Sequence, residues 1–277
     1  MTLPTPHDKN PVTSHVALLG ASNVAKALPR ALPELVARFA KDAPAKRLAV
    51  YAARGCGRSY GIPSGIFGFA TSALSSCSLF AALEARRRQA PQGTLHALLT
   101  DVGNDILFDV PAAQICTWVH DTSERLRQLG CTVAVTALPV DSVSRMPTWK
   151  FRALRPFYYP GRRLPQAHVL EEMQRVQEGL QELARNGELA VLPTRTEWYG
   201  FDHFHLRAAA QREAFGGWFD ALLGRPPGAE GLADFALEAS SWKLRFHRPQ
   251  EYTWRKRPRQ RAQTGIELTP WARLYAY

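Results

Sequence analysis

A doubly wound α/β sandwich, with five parallel strands between two layers of helices, is the fold class expected of this 277-residue chain. Short apolar runs alternate with longer segments of helical spacing, as they must when each strand of a parallel sheet is reached by a crossover that returns to the same edge. Every polar or glycine-rich turn that stands out follows the end of an apolar run, which is where ligands sit in such folds. With 45% hydrophobic residues the chain can bury one substantial core and carry an appendage, but it is short for two full domains.

His15 to Leu19 (HVALL) is the first expected strand and ends at Gly20. Val24, Leu28, Leu32, Leu35, Val36 and Phe39 then mark one face of a helix from Asn23 to Ala40. Pro29 and Pro33 are expected to bend that helix or delay its start. The second strand, Leu48 to Ala53, runs into the glycine loop RGCGRSYG, and Ser75 to Gln89 reads as an amphipathic helix. Leu95 to Thr100 is the third strand and stops at DVGND, before a helix from about Ala112 to Leu129 and a fourth strand from Thr132 to Leu138. Val140 to Pro165 is rich in arginine, proline and aromatics and exceeds the usual connection length, so it is expected as a lid or binding loop. Gln166 to Arg185 resumes as helix, Glu188 to Leu192 is a short fifth strand, and the loop TRTEWYGFDHFH leads to a last helix from Leu206 to Leu223.

Beyond it, RPPGAEG reads as a linker, Leu232 to Ala239 as a short helix, and GIELTPWARLYAY as a strand pair that packs on the body or on a second subunit. The expected organisation is a flexible N-terminus (1–14), an α/β domain (15–223) and a basic C-terminal extension (224–277).

The first residues, MTLPTPHDKNPVTS, show no basic start followed by an apolar run, and no stretch of eighteen apolar residues occurs. A cytoplasmic protein with no membrane span is expected. Cys56, Cys77, Cys116 and Cys131 form no CxxC pair, which favours reduced thiols over a disulfide framework or a zinc site. Nine basic residues between Lys243 and Arg273 face only Glu251 and Glu267, so this stretch carries +7 of the formal +11. Such a tail can touch nucleic acid or anionic lipid, but solvated surface is the commoner role of a charge run that lacks a recognised motif.

Four short pieces carry chemistry. Ser22, in Gly20-Ala21-Ser22-Asn23, stands at a strand-to-helix turn where free N–H groups and the helix dipole favour negative charge; alone it reads equally as an N-cap. Asp202-His203-Phe204-His205 lets a carboxylate fold back onto an imidazole three residues on, so that His205 takes the Ser22 proton while Asp202 fixes its tautomer. Asn104, in Gly103-Asn104-Asp105, can direct its amide at a developing oxyanion. Gly57 would add an unobstructed backbone N–H, with Gly55 and Gly61 as rivals on sequence alone. Asp101, Asp105, Asp202, His203 and His205 are suitable metal ligands, but they lack the fixed spacing of helical zinc motifs, and no metal or cofactor is expected.

A serine turn after the first strand, a glycine loop after the second, GND after the third and DxxH before the last helix together resemble the SGNH hydrolase family, also called GDSL-like. The match spans about residues 15 to 223, and four weak motifs in the right order are far more specific than any one. The resemblance implies a flavodoxin-like sheet, no metal, Ser22 as nucleophile, Asp202 and His205 as the acid/base pair, and Gly57 and Asn104 as oxyanion donors beside Ser22. The family pattern has aspartate where this chain has Ala21, which leaves the nucleophile turn to be anchored otherwise. Asn23 is placed to compensate by bonding nearby loop backbone.

The implied activity is hydrolysis of a carboxylic ester or thioester of a small molecule through an acyl-serine. Acyl transfer to a non-water acceptor, through the same triad, differs only in whether water is excluded. A non-catalytic binding protein using the basic tail is the alternative from another class. Tyr60, Phe67, Phe108, Trp149, Phe157, Tyr158, Tyr159, Trp198, Tyr199 and Phe201 are expected at the pocket edge, with Tyr60, Phe108, Trp149 and Tyr199 as substrate contacts. Lys150, Arg152, Arg155, Arg162 and Arg163 would suit an anionic leaving group.

Overall fold

The computed structural model describes residues 12–40, 46–66, 69–89, 92–158, 164–226, 235–255 and 257–277. The chain begins with β1 (Val12–Gly20), α1 (Ser22–Ala40), β2 (Arg47–Arg54), β3 (Ser64–Ile66), β4 (Phe69–Thr71) and α2 (Leu79–Gln89). It continues through β5 (Thr94–Leu99), α3 (Ala112–Gln128), β6 (Cys131–Thr136), α4 (Val140–Ser144), α5 (Thr148–Tyr158), α6 (Gln166–Arg185) and β7 (Ala190–Leu192). The last elements are α7 (Gln211–Leu222), α8 (Ser241–Phe246), β8 (Glu251–Trp254), β9 (Arg257–Gln260), β10 (Ile266–Thr269) and β11 (Ala272–Ala276).

The central sheet runs β10-β11-β2-β1-β5-β6-β7 and is parallel throughout except at the β10/β11 hairpin. It is the expected three-layer sandwich, widened from five strands to seven because the C-terminal strand pair joins it beside β2. Period-two alternation explains the layers. Val16 and Leu18 face the core under α1 and α7, whereas Ala17 and Leu19 face the core under α2, α3 and α6.

Several local expectations give way to specific contacts. Pro29 and Pro33 lie inside α1, which starts at Ser22 and runs on to Ala40, each proline surrendering one backbone bond. Residues 74–76 form a 3₁₀ turn and Cys77 is extended, so α2 begins at Leu79 and not at Ser75. Leu206 bridges Tyr199, and the Arg207 N–H donates to the Trp198 carbonyl (2.9 Å), which holds the chain out of helix until Gln211. Val140 to Pro165 contains α4 and α5 in place of an irregular loop. Residues 235–239 are not helical, and residues 232–234 lie outside the described residues. The short helix falls instead at α8, where the Ser240 side chain accepts the Lys243 N–H (3.3 Å).

A second sheet, β3-β4-β8-β9, draws its last two strands from the basic stretch. The β9 sequence RPRQ is exposed at every position and has no apolar alternation by which to be recognised. Among the described residues, no helix is long and apolar enough to cross a membrane.

Two buried titratable groups matter for stability. Arg38, near the end of α1, donates to Asp220 of α7 through Nε (2.7 Å) and Nη2 (2.9 Å), to Glu34 Oε2 (3.0 Å) and to the Gly216 carbonyl (2.9 Å). Burial opposes its charge, and the two carboxylates more than offset that, leaving its pKa raised. His15, on β1, is 2% exposed and its pKa falls to about 4, first through burial and then through Arg86 and Arg87. Folded His15 stays neutral over a range where unfolded His15 takes a proton, so stability is lost as pH falls from about 6.5 toward 4. The loss amounts to roughly 3 kcal/mol. Urea unfolding of the native chain and of His15→Leu, at neutral pH and at about pH 4.5, checks this: the variant should lose less on acidification, and equal losses would reject it.

Candidate active site

The carboxyl ends of β1, β2 and β5 finish together, with Gly20 opposite Arg54 and Leu19 opposite both Ala53 and Leu99. The turns that follow therefore share one edge. At Gly20 a Cβ would fall 2.1 Å from Thr100 Oγ1 and 2.6 Å from Val24 Cγ2, so only glycine lets the two turns approach this closely. Ser22 opens α1 immediately afterwards and is 7% exposed.

Asp101 anchors this turn from across the sheet. Its left-handed backbone (φ 59°) turns the carboxylate back onto the start of α1. Oδ2 accepts from the Ala21 N–H (2.7 Å) and the Asn23 N–H (3.2 Å), and Oδ1 accepts from Asn23 Nδ2 (2.6 Å). A carboxylate here satisfies donors left over at the helix start and complements the dipole. The turn at Ala21 is thus held by a carboxylate 80 residues later in the chain.

Asn23 does more than bond local backbone. Its Nδ2 also donates to the Phe204 carbonyl (3.2 Å) and its Oδ1 accepts the Leu206 N–H (2.9 Å). These groups flank His205, so one amide side chain ties the serine turn to the histidine loop.

Within that loop Asp202 folds back as expected of DxxH. Oδ1 accepts the N–H groups of Phe204 (3.2 Å) and His205 (2.9 Å), and His203 takes a left-handed φ of 59° to close the turn. Oδ2 lies 2.6 Å from His205 Nδ1, and His205 Nε2 lies 2.7 Å from Ser22 Oγ. A carboxylate at Nδ1 calls for the N–H there, which leaves the Nε2 lone pair toward the serine hydroxyl. Three groups from two distant segments are in line.

Ser22, Asn23, Gly57, Asn104, Tyr199 and His205 all line one cavity of about 310 Å³. Gly57 has φ 69°, a left-handed conformation that favours glycine, and neither rival, Gly55 nor Gly61, lines the cavity. Asn104 Nδ2 donates one of its two N–H bonds to the Arg58 carbonyl (3.2 Å). Asp105 holds the far side of the glycine loop, accepting from Ser59 Oγ and from the Tyr60 N–H (3.0 Å), and burial raises its carboxyl pKa. Cys56 also lines the cavity, and burial first of all raises its thiol pKa, which keeps the sulfur protonated at neutral pH.

Two arginines bracket the glycine loop and reach into the C-terminal segment. Arg54 Nη2 donates to the carbonyls of Leu244 (2.6 Å) and His247 (3.3 Å). Arg58, 1% exposed, donates through Nη1 to the Tyr277 carbonyl (2.6 Å) and through Nε to the Ser72 carbonyl (3.1 Å). The loop carrying Gly57 is thereby fixed between β2 and residues 244–277.

Three of the four expected substrate contacts stand elsewhere. Tyr60 is fully buried, its hydroxyl donating to the Thr100 carbonyl (2.9 Å), so it is core. Phe108 packs on the core under α3 and α6, outside the cavity lining. Trp149 projects from α5 and is 70% exposed. Trp198 is buried, and Phe201 is exposed beneath Lys150 Nζ, 3.6 Å from its ring centre. Phe67 and Tyr159 lie outside the described residues, and Phe157 and Tyr158 are described only as helix.

The cation at the cavity is Lys26, one turn beyond Ser22 on α1, and not the basic group on α5, where Lys150 stacks on Phe201 and Arg155 bonds the Leu164 carbonyl (3.0 Å). Arg162 and Arg163 lie outside the described residues. Sequence reasoning also missed Asp101 as an anchor and the apolar wall of Leu107, Leu138, Val169 and Met173. Spacing of four from Ser22 was the available signal for Lys26; the wall residues read only as ordinary helix and strand-end positions. Among the described residues, no three His, Cys, Asp or Glu side chains gather as a metal site. Asp101 and Asp105 turn instead to α1 and to the glycine loop.

No family model matches this chain, and no curated protein matches it. Among solved structures it is similar to the psychrotrophic esterase EstA from Pseudoalteromonas sp. inhibited by monoethylphosphonate, at 12% identity and a TM-score of 0.45 over 76% of this chain and 97% of that one. It is also similar to TesA, at 15% identity and a TM-score of 0.43 over 74% and 96% of the two chains. At such identities the chemistry has to be read from the chain's own residues.

Proposed function

We propose that this chain is a serine hydrolase of the SGNH type, cleaving a carboxylic ester or thioester through an acyl-serine intermediate. The observation that carries the reading is the unbroken line from Asp202 Oδ2 to His205 Nδ1 (2.6 Å) and from His205 Nε2 to Ser22 Oγ (2.7 Å) at the mouth of a cavity.

Ser22 Oγ attacks the carbonyl carbon of the substrate while His205 Nε2 takes its proton. Asp202 stabilises the imidazolium that forms and keeps its ring oriented. The oxygen that becomes negative is met by the Gly57 N–H and the Asn104 amide, with the positive end of the α1 dipole behind Ser22; one such donor is worth on the order of 3 kcal/mol. His205 then returns its proton to the departing alkoxide or thiolate. Water, deprotonated by the same His205, attacks the acyl-serine, releases the carboxylic acid and restores the Ser22 hydroxyl.

A fluorophosphonate probe tests the reading. The adduct should map by peptide mass to Ser22 and vanish in His205→Ala. A folded native chain that takes no label would overturn it.

A further inference from the structure

We propose that the surface made by α8 and the β4-β8-β9 sheet docks on an anionic lipid bilayer. The proposal does not depend on the chemistry of Ser22.

Residues 243–261 hold eight basic side chains and one acid, Glu251. None of the described cations in this run is ion-paired among the described residues. Strand register gathers part of the charge on one face of the sheet together with aromatic rings. Trp254 of β8 stands opposite Phe69 of β4 and opposite Arg257 of β9, and Tyr252, two residues earlier, stands opposite Arg259. Directly paired residues share a face, as do residues two apart on a strand. The Phe69 and Tyr252 rings accordingly stack, 5.1 Å between centres, and the guanidinium groups of Arg248 and Arg255 lie over Tyr252 (5.9 Å) and Trp254 (5.6 Å).

α8 adds apolar surface beside this charge. Leu244 is buried and roots the helix, which packs on α1, whereas Trp242 and Phe246, four residues apart and so on one helix face, are 71% and 54% exposed. Arg54, the last residue of β2, holds the carbonyl groups of Leu244 and His247. That contact sets α8 at the carboxyl edge of the central sheet, the edge at which Ser22 lies.

The combination selects the partner. Cations alone would be served by water. Exposed indole and phenyl groups next to them gain free energy at a bilayer interface, where the rings enter the headgroup boundary and the cations meet lipid phosphates. A single-stranded nucleic acid would instead stack its bases on open ring faces. Here Trp242 and Phe246 cover one another at 4.0 Å, and Tyr252 is already engaged by Phe69 and Arg248, which favours lipid.

The experiment is co-sedimentation of the native chain with vesicles of phosphatidylcholine alone or with about 30% phosphatidylserine. Binding is expected to the anionic vesicles and not to the neutral ones, and it should weaken as salt is raised. Trp242→Ala/Phe246→Ala should lower the partition coefficient about tenfold, and Arg257→Glu/Arg259→Glu on the order of 30-fold. All four side chains are exposed, so both variants should keep the native unfolding temperature. Arg88→Glu/Arg185→Glu, a reversal of two exposed cations on α2 and α6, should cost far less. No binding to anionic vesicles, or an equal loss in the Arg88/Arg185 variant, would overturn the proposal. So would a single-stranded oligothymidylate bound more tightly than the vesicles and released by the same variants, which would give the surface to nucleic acid.

Discussion

Ser22→Ala is expected to fold normally and to lose ester turnover by a factor on the order of 10⁵ to 10⁶. His205→Ala should lose about as much, and the double variant little more, because the two groups act as one device. The structural reason is that Ser22 Oγ lies 2.7 Å from His205 Nε2 and His205 Nδ1 lies 2.6 Å from Asp202 Oδ2, so under the proposed mechanism removing either end leaves the other without a task. Residual turnover should persist through binding and oxyanion stabilisation. Thermal unfolding should stay close to that of the native chain. Steady-state kcat on a chromogenic ester decides the matter, and a stable Ser22→Ala protein with native kcat would end the serine-hydrolase reading.

Arg38→Ala should have the largest effect on stability. Removing the guanidinium leaves Asp220 buried without its Arg38 partner, while Glu34 keeps only its pair with Arg212, and breaking a buried pair in this way costs about 3 to 5 kcal/mol. The Gly216 carbonyl loses its Arg38 partner as well. For a chain of this size the midpoint of thermal unfolding should drop by roughly 10 °C. Replacing all three groups with apolar side chains of similar volume should recover much of that loss. Arg38 lies sixteen residues along α1 from Ser22, roughly 24 Å at helical rise, so kcat at a temperature where the variant stays folded should be unchanged. Calorimetry together with a kinetic assay separates the outcomes; an unaltered unfolding temperature would show the cluster to be idle.

What was legible in the sequence is what local pattern encodes. The strand ends at Leu19, Ala53 and Leu99 are visible because apolar runs stop at glycine or aspartate, and parallel pairing then brings their turns to one edge. The reach of Asp202 to His205 is also local, a matter of three residues in a turn. Asp101 was not legible as the anchor of the serine turn, because its partners Ala21 and Asn23 are about 80 positions away and no periodicity links them. Tyr60 and Tyr199 look alike in sequence, yet a hydroxyl bond to the Thr100 carbonyl buries one and the cavity exposes the other. The β8/β9 hairpin was hidden for a related reason: its backbone pairing is not accompanied by alternation, and a run of arginines reads as a solvated tail.

The grip of Arg54 and Arg58 on residues 244–277 bears on the order in which the molecule is made. Gly57 sits in a loop whose two ends are held by carbonyls from the far end of the chain, and β11 must be laid against β2 before those carbonyls are in place. A ribosome-bound chain that has emerged only as far as α7 holds Ser22, Asp202 and His205 but not the partners that fix Gly57. Contacts of such sequence separation form late because the intervening loop must close first. The Gly57 loop therefore reaches its final setting only when β11 has joined the sheet.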